Sequence, residues 1–363
     1  MDKKQITILA PCPLSSVRLV KISEYLKQKN YELTLLGWNR HKGQPYTSDV
    51  YDKIEVVFTG GGEGRKMLPL FYLLFILKLF CKLLFRRNNT LYFAVNFETA
   101  YPAWLASRFR KINYAYDIWD ELAISHNFPS IIKKFIRYYD KKVRKGASFY
   151  IHVDKSRISE IDTEGKYIII YNTPVDYYKG SIPEIEYTNS FAVTGWLNKT
   201  RGLDSIYNFA VANPSIKFIV IGEFLQKENE EKYCQLPNVD FHHFMPQSEL
   251  FGLIKACRGI FSLYDPSIEI NRLAASNKLY DAMMMAIPVV VNEGILASKF
   301  VNETGIGYVV NYNYDKSWEK LAEFNLQEIK LIGNKGRDLY LGRYEFNTIL
   351  DDTLLPAIER VIQ

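Results

Sequence analysis

Short apolar runs closed by turn-forming residues alternate along the first half of the chain with longer stretches whose apolar positions recur at helical spacing. Residues 6–10 read as a strand, 16–29 as a helix and 32–37 as a second strand. Runs at 54–58, 91–95, 113–117, 149–153 and 167–171 continue the series, with helical stretches between most of them. This βαβ alternation predicts a parallel sheet with crossover helices.

Between residues 172 and 190 the pattern breaks into Pro174, Asp176, Gly180, Pro183, Glu184 and Glu186, which reads as a linker. A second series follows at 191–194, 218–222, 239–242, 260–264, 288–292 and 308–310. The expectation is two α/β domains, residues 1–173 and 174–343, with ligand bound where strands end at their carboxyl edges, in the cleft between two facing domains.

Composition narrows the class. The 363 residues are 48% apolar and 24% charged, which excludes a disordered chain, and 20 glycines exclude a collagen-like one. Cys12, Cys81, Cys234 and Cys257 lie far apart with no CxxC or Cys/His cluster, so neither a disulfide framework nor a structural zinc site is indicated and a reducing cytoplasm fits. The apolar run after Met1-Asp2-Lys3-Lys4 is too short for a cleavable signal and reads as a strand.

Charge divides the chain as the linker does. Residues 1–173 carry 28 Lys and Arg against 16 Asp and Glu, a balance of +12, while 174–363 carry 18 against 24, a balance of −6. A basic first half points to an anionic partner: membrane headgroups, nucleic acid or a phosphorylated substrate.

The most hydrophobic segment, residues 67–85, is interrupted by Lys78 and Lys82, so it is not expected to span a bilayer. Lys78, Lys82 and Arg86, spaced by four, form one basic stripe beside a wide apolar face on a helix. Two readings stay open: a helix lying in an anionic membrane surface, or a crossover helix buried against the sheet with its lysines in solvent. A second basic cluster at 133–145 (Lys133, Lys134, Arg137, Lys141, Lys142, Arg144 and Lys145), with Phe135 and Ile136 among them, favours a membrane-facing surface. No helix-turn-helix, RNP or finger pattern supports nucleic acid.

The loop after the first strand, Pro11-Cys12-Pro13-Leu14-Ser15-Ser16, lacks the glycines of a dinucleotide turn. Thr59-Gly60-Gly61-Gly62-Glu63-Gly64 lacks the GK[ST] ending of a P-loop and reads as a mobile loop. In the second half, Gly195-Trp196-Leu197-Asn198-Lys199-Thr200-Arg201-Gly202 follows a strand and opens a helix, a possible anion site. In Ser276-Asn277-Lys278-Leu279-Tyr280-Asp281, Ser276 or Asn277 is a good N-cap and Lys278 falls in the first helical turn. A lysine there opposes the helix dipole, which a bound diphosphate would justify; the alternative is a Lys278–Asp281 pair worth a few tenths of a kcal/mol.

Taken in order, these segments resemble the retaining family 4 glycosyltransferases of the GT-B fold, of the kind that build bacterial cell-surface polysaccharides. Ser16-Val17-Arg18-Leu19-Val20-Lys21 and Leu35-Leu36-Gly37-Trp38-Asn39-Arg40 resemble the family's first helix and second strand, Tyr116-Asp117-Ile118-Trp119-Asp120 its acidic turn, and Tyr171-Asn172-Thr173-Pro174 its hinge. Arg201-Gly202 resembles the phosphate loop, Ile221-Gly222-Glu223 the loop after the next strand, and Asn277-Lys278-Leu279-Tyr280-Asp281 the NKL(F/Y)E helix start. Trp196 stands where many members carry a phosphate-binding Arg, Trp119 where many carry His, and Ala286 replaces the Gly before Pro288.

The resemblance implies two facing Rossmann-like domains and a C-terminal stretch, 344–363, returning to the first. It implies transfer of a sugar from a nucleotide-diphosphate donor, held by residues 190–312, to a lipid-linked or saccharide acceptor, with retention and without a metal or other cofactor. Arg201 and Lys278 would neutralise the diphosphate, with Gly195, Gly202, Gly222, Asn277 and Leu279 around it and Asp281 on the ribose. Asp265 or, in preference, Glu269 would face the donor sugar, and Asp117 and Asp120 the acceptor. The expected location is the cytoplasmic side of the plasma membrane, held peripherally. A nucleotide-sugar epimerase of the same fold and a non-catalytic GT-B scaffold remain as alternatives.

Overall fold

The computed structural model describes residues 4–12, 14, 16–40, 46–61, 68–86, 91–125, 128–181, 183–273 and 276–363. Pro13, Ser15, Gly62, Glu63, Gly64 and Met67, on which parts of the loop and helix expectations fall, lie outside the described residues. The chain forms two compact units, residues 1–171 with 349–363, and residues 172–348.

The first unit is a seven-stranded sheet built from β1 (Gln5–Ala10), β2 (Glu32–Asn39), β3 (Lys53–Thr59), β4 (Leu91–Val95), β5 (Tyr114–Ile118), β6 (Phe149–His152) and β7 (Tyr167–Ile169). Its order is β3-β2-β1-β4-β5-β6-β7, with every neighbour parallel. The helices are α1 (Val17–Gln28), α2 (Leu68–Phe85), α3 (Phe97–Ser107), the short α4 (Leu122–Ser125) and α5 (Ser130–Gly146). Strands β4 and β5 are buried along their whole length, because a parallel sheet covered on both faces needs continuous apolar strands. The C-terminal residues join this unit through Asp351, which accepts from Tyr25 Oη at 2.7 Å.

The second unit is a six-stranded sheet of β8 (Thr188–Leu197), β9 (Lys217–Phe224), β10 (Val239–His242), β11 (Cys257–Ser262), β12 (Val289–Asn292) and β13 (Gly307–Val310). The order is β10-β9-β8-β11-β12-β13, again all parallel. Its helices are α6 (Leu203–Ala212), α7 (Lys227–Cys234), α8 (Gln247–Ile254), the short α9 (Glu269–Arg272), α10 (Asn277–Met284), α11 (Leu296–Thr304), the short α12 (Glu319–Ala322) and α13 (Leu326–Leu339). Phe191, Phe209, Phe261 and Trp318 form its aromatic centre, with Phe261 stacked on Trp318 at 5.6 Å. In each sheet the strand order reverses beside the first strand, so the switch points lie between β1 and β4 and between β8 and β11.

Helix α2 packs one face on its own sheet and leaves the other exposed. Phe75, Leu79 and Leu83 are buried in the core, while Leu70, Leu73, Leu74 and Leu77 face outward, Leu77 half exposed. By length and composition alone, at mean hydropathy 2.1, the helix meets the measure of a membrane span that its two lysines argued against in the sequence, but one face of it packs into the core of its own unit. The basic stripe, however, turns back onto the edge strand β3 instead of standing free beside the apolar face. Lys82 and Arg86 each reach Glu55 at 2.8 Å, and Lys78 sits 4.9 Å above the Phe58 ring. Burial pushes the Glu55 carboxyl up, but Lys82, Arg86 and Lys53 more than offset it and hold it down to about 2.

The second basic cluster also divides. Arg144 is buried and pairs with Asp140, Asp162 and Glu121, so it is a structural charge and leaves the expected basic surface. Lys134, Arg137, Lys141, Lys142 and Lys145 remain exposed on α5 beside exposed Ile131, Ile132, Phe135 and Tyr138.

Candidate functional site

Strand β8 runs past its expected end through Gly195 and Trp196 to Leu197. The chain then makes one 3-10 turn, Lys199–Arg201, and enters α6 through Gly202, whose φ is 73°. A Cβ on Gly202 would lie 2.5 Å from Leu263 Cδ1, so glycine fits where another residue would clash. Gly195 and Gly222 are opposed on β8 and β9, and a Cβ on Gly222 would lie 1.9 Å from the Gly195 carbonyl oxygen. The glycine pair lets the two strand ends close on each other beneath the site.

Two cations converge at this strand edge. The Arg201 guanidinium lies 3.9 Å from the Tyr264 ring centroid, with Nη1 buried and lacking a hydrogen-bond partner. Lys278, in the first turn of α10, brings Nζ beside Gly195, 3.3 Å from where a Cβ would be. Among the described residues neither forms a salt bridge, so the expected alternative of a Lys278–Asp281 pair is not what holds the lysine. Burial pushes the Tyr264 phenol up, but the Lys278 and Arg201 charges and a hydrogen bond with Ser276 more than offset it, leaving it below the ordinary tyrosine value. A small pocket opens here, lined by Trp196, Asn198, Arg201, Leu203, Tyr264 and Lys278 among others.

Ser276 occupies the N-cap position of α10, but its Oγ meets Ser262 Oγ at 2.6 Å and makes no capping hydrogen bond. With no acid in the first turn, the helix presents its positive end and Lys278 together. Such a concentration of positive charge at a pocket with an unused guanidinium nitrogen suits a diphosphate.

The other expected residues distribute as follows. Asn277 is exposed, Asp281 half-buried, and Leu279 buried in the packing of α10. Asp265 closes its own turn by accepting from Ser267 N and Oγ at 2.9 and 2.6 Å, whereas Glu269 stands exposed at the start of α9. In the first unit, Asp117 is buried and receives Arg18 Nη2 at 2.8 Å, Arg18 Nε at 3.0 Å and Trp119 Nε1 at 2.6 Å. These three donors tie Asp117, expected on the acceptor side, to Arg18 and the Trp119 turn. Asp120 is exposed, 4.0 Å from Arg157.

Two residues escaped the sequence reading. Tyr264 carries no charge and follows a buried strand, so only the convergence of Arg201 and Lys278 on it marks it out. Glu98, at the start of α3 beside the β1/β4 switch point, is 5% exposed with Oε2 unpartnered, and burial lifts it to about 7. In the sequence it is indistinguishable from an ordinary first-turn acid. Among the described residues no three His, Cys, Asp or Glu converge in a set that could hold a metal ion.

No family model and no curated protein matches the sequence. Solved structures do. A sucrose-phosphate synthase from Thermosynechococcus elongatus is similar at TM-score 0.71 and 11% identity, over 99% of this chain and 100% of that one. Anabaena HepE in complex with UDP and glucose is similar at TM-score 0.71 and 14% identity, over 97% of this chain and 99% of that one. A putative UDP-N-acetylglucosamine 2-epimerase from Listeria monocytogenes follows at TM-score 0.63 and 11% identity, over 99% and 96%. The fold is that of the GT-B glycosyltransferases, two Rossmann-like α/β domains with parallel sheets.

Proposed function

We propose that the protein is a glycosyltransferase that moves a sugar from a nucleotide-diphosphate donor, held in the second unit, to a hydroxyl of a lipid-linked or saccharide acceptor in cell-surface polysaccharide synthesis. The observation that carries the reading is the pair Arg201, in the turn before α6, and Lys278, at the uncapped start of α10, which line one pocket and form no salt bridge among the described residues. The complexes of HepE with UDP and with UDP-glucose make uridine diphosphate the first nucleotide to try.

In the proposed reaction the bond between the anomeric carbon and the diphosphate oxygen breaks, and the acceptor oxygen forms the new bond on the same face. Arg201, Lys278 and the amides opening α10 stabilise the charge growing on the leaving diphosphate, which takes up the acceptor's proton. That chemistry asks for no nucleophilic side chain and no metal. Asp281 on the ribose, Glu269 on the donor sugar and Asp120 on the acceptor side complete the assignment; Asp117 positions Arg18.

We further propose a peripheral attachment to the cytoplasmic face of the plasma membrane. The support is the outward leucines of α2 together with Ile131, Ile132 and Phe135 on α5 and the exposed lysines and arginine that accompany them.

Thermal shift with uridine, guanosine, adenosine and cytidine diphosphates, on the wild type beside Arg201→Ala and Lys278→Ala, tests the donor site. A shift seen in the wild type and lost in both variants supports it; no shift with any nucleotide overturns it. The epimerase neighbour favours a second reading, in which the same site turns over its nucleotide sugar alone. Conversion of UDP-N-acetylglucosamine without any acceptor would favour that reading.

A further inference from the structure

The diphosphate pocket has an aromatic wall. Trp196, next to last on β8, lines the pocket with Arg201 and Lys278 and is 60% exposed. Phe244, two residues beyond β10, is 50% exposed, and its ring stands edge to face with the indole at 5.3 Å and 78°. Leaving two large rings in water at the carboxyl edge of a sheet is unfavourable unless something covers them. An edge-to-face pair uses one ring's rim and leaves π-faces open to a flat partner. The neighbouring side chains Glu223 and His243, 3.8 Å apart, bound the pair with polar groups, so the rings form a local platform beside the cations.

A molecule that satisfies both halves of the site carries an anionic group and a flat aromatic ring, as a nucleotide does. We propose that Trp196 and Phe244 form the platform on which the nucleobase of the donor stacks. This rests on the nucleotide reading above and adds to it the surface that recognises the base. Stacking on a platform of this kind accepts any base face, so it contributes affinity, and the choice among bases falls to groups at the ring edges.

The test uses two ligands on the whole 363-residue chain, UDP and inorganic pyrophosphate, the second lacking base and ribose. Trp196→Ala and Phe244→Ala are expected to weaken UDP about five- to hundredfold, the range of base–aromatic stacking, and to leave pyrophosphate unchanged. Arg201→Ala is expected to weaken both. UDP is expected to quench tryptophan fluorescence in the wild type, with the response lost in Trp196→Phe, which keeps a ring but removes the reporter. Both aromatic side chains are largely exposed, and an unchanged melting temperature without ligand confirms that the variants fold. UDP binding that depends on Arg201 but is unaffected by either aromatic substitution overturns the platform and leaves the donor site standing. Equal weakening of UDP and pyrophosphate also overturns it. Failure of the wild type to bind any nucleoside diphosphate overturns the nucleotide reading itself.

Discussion

The Arg201 guanidinium lies over the Tyr264 ring at 3.9 Å, and Tyr264 is itself fixed by Asn292, whose side chain accepts from Tyr264 N at 2.8 Å and donates to Tyr264 O at 3.0 Å. The tyrosine ring therefore orients the planar fork before any ligand arrives. Lysine would keep the charge but neither stack on the ring nor offer a fork. Arg201→Lys is expected to weaken UDP about tenfold by calorimetry, and Tyr264→Leu to act in the same direction. Wild-type affinity in Arg201→Lys would show that charge alone suffices.

Ala286 adopts φ 56°, the left-handed region that costs a residue with a Cβ about 1 kcal/mol. It sits just past α10, where Ile287 N donates to Ala282 O at 2.9 Å and Ala286 N to Met283 O at 3.2 Å, the paired bonds of a Schellman motif. The glycine that the resemblance expects would be unstrained here. Ala286→Gly is expected to stabilise the protein by about 1 kcal/mol, or about 2–4 °C in Tm, read by calorimetry. A drop in Tm would mean that the added freedom of the unfolded chain outweighs the relieved strain.

The strands among the described residues were legible because parallel strands are written as local apolar runs, continuous where both faces are covered as in β4, β5 and β11, and β4 and β10 fall where the runs predict them. Arg201 and Lys278 were legible as cations at helix starts, Arg201 in the turn that leads from β8 into α6 and Lys278 in the first turn of α10. What local pattern does not encode is which charge another charge finds. Glu55 lies on β3, 27 residues before Lys82 in sequence, and nothing along α2 announces that it takes up two of the three stripe cations. The same holds for Arg144, written as one of a basic cluster but buried by acids at 121 and 162, and for Asp117, whose partner Arg18 is 99 residues away.

Glu98 gives the first unit a pH signature. Burial raises its carboxyl from 4.5 to about 7, with the Asp120 charge adding to the rise and Arg40 opposing it. A group whose folded value is raised binds its proton more tightly in the native state, so its stability contribution is complete below pH about 4.5 and lost as pH rises through about 7. The loss amounts to roughly 3 kcal/mol at about 1.4 kcal/mol per pH unit. Glu98→Gln, neutral throughout, is expected to flatten this part of the urea-midpoint profile between pH 5 and 8. Wild type and variant profiles running parallel would place the titration elsewhere.

The membrane proposal separates two side-chain sets that the sequence presented as one. Lys82 and Arg86 are occupied by Glu55, so their loss is expected to loosen α2 on β3 more than to change attachment. Among the described residues the exposed cations of α5 form no salt bridge, and burial of the outward leucines in a headgroup layer recovers about 25 cal/mol for each Å² removed from water. Leu74→Glu with Leu77→Glu is therefore expected to abolish sedimentation with phosphatidylglycerol vesicles at moderate salt. Lys134→Glu with Arg137→Glu should weaken it about tenfold or more, at about 1 kcal/mol for each basic residue near an anionic surface, and by less on phosphatidylcholine vesicles. Lys82→Gln is expected to sediment like the wild type while lowering Tm. Full sedimentation of the double leucine variant would mean that the apolar face of α2 serves something other than a bilayer.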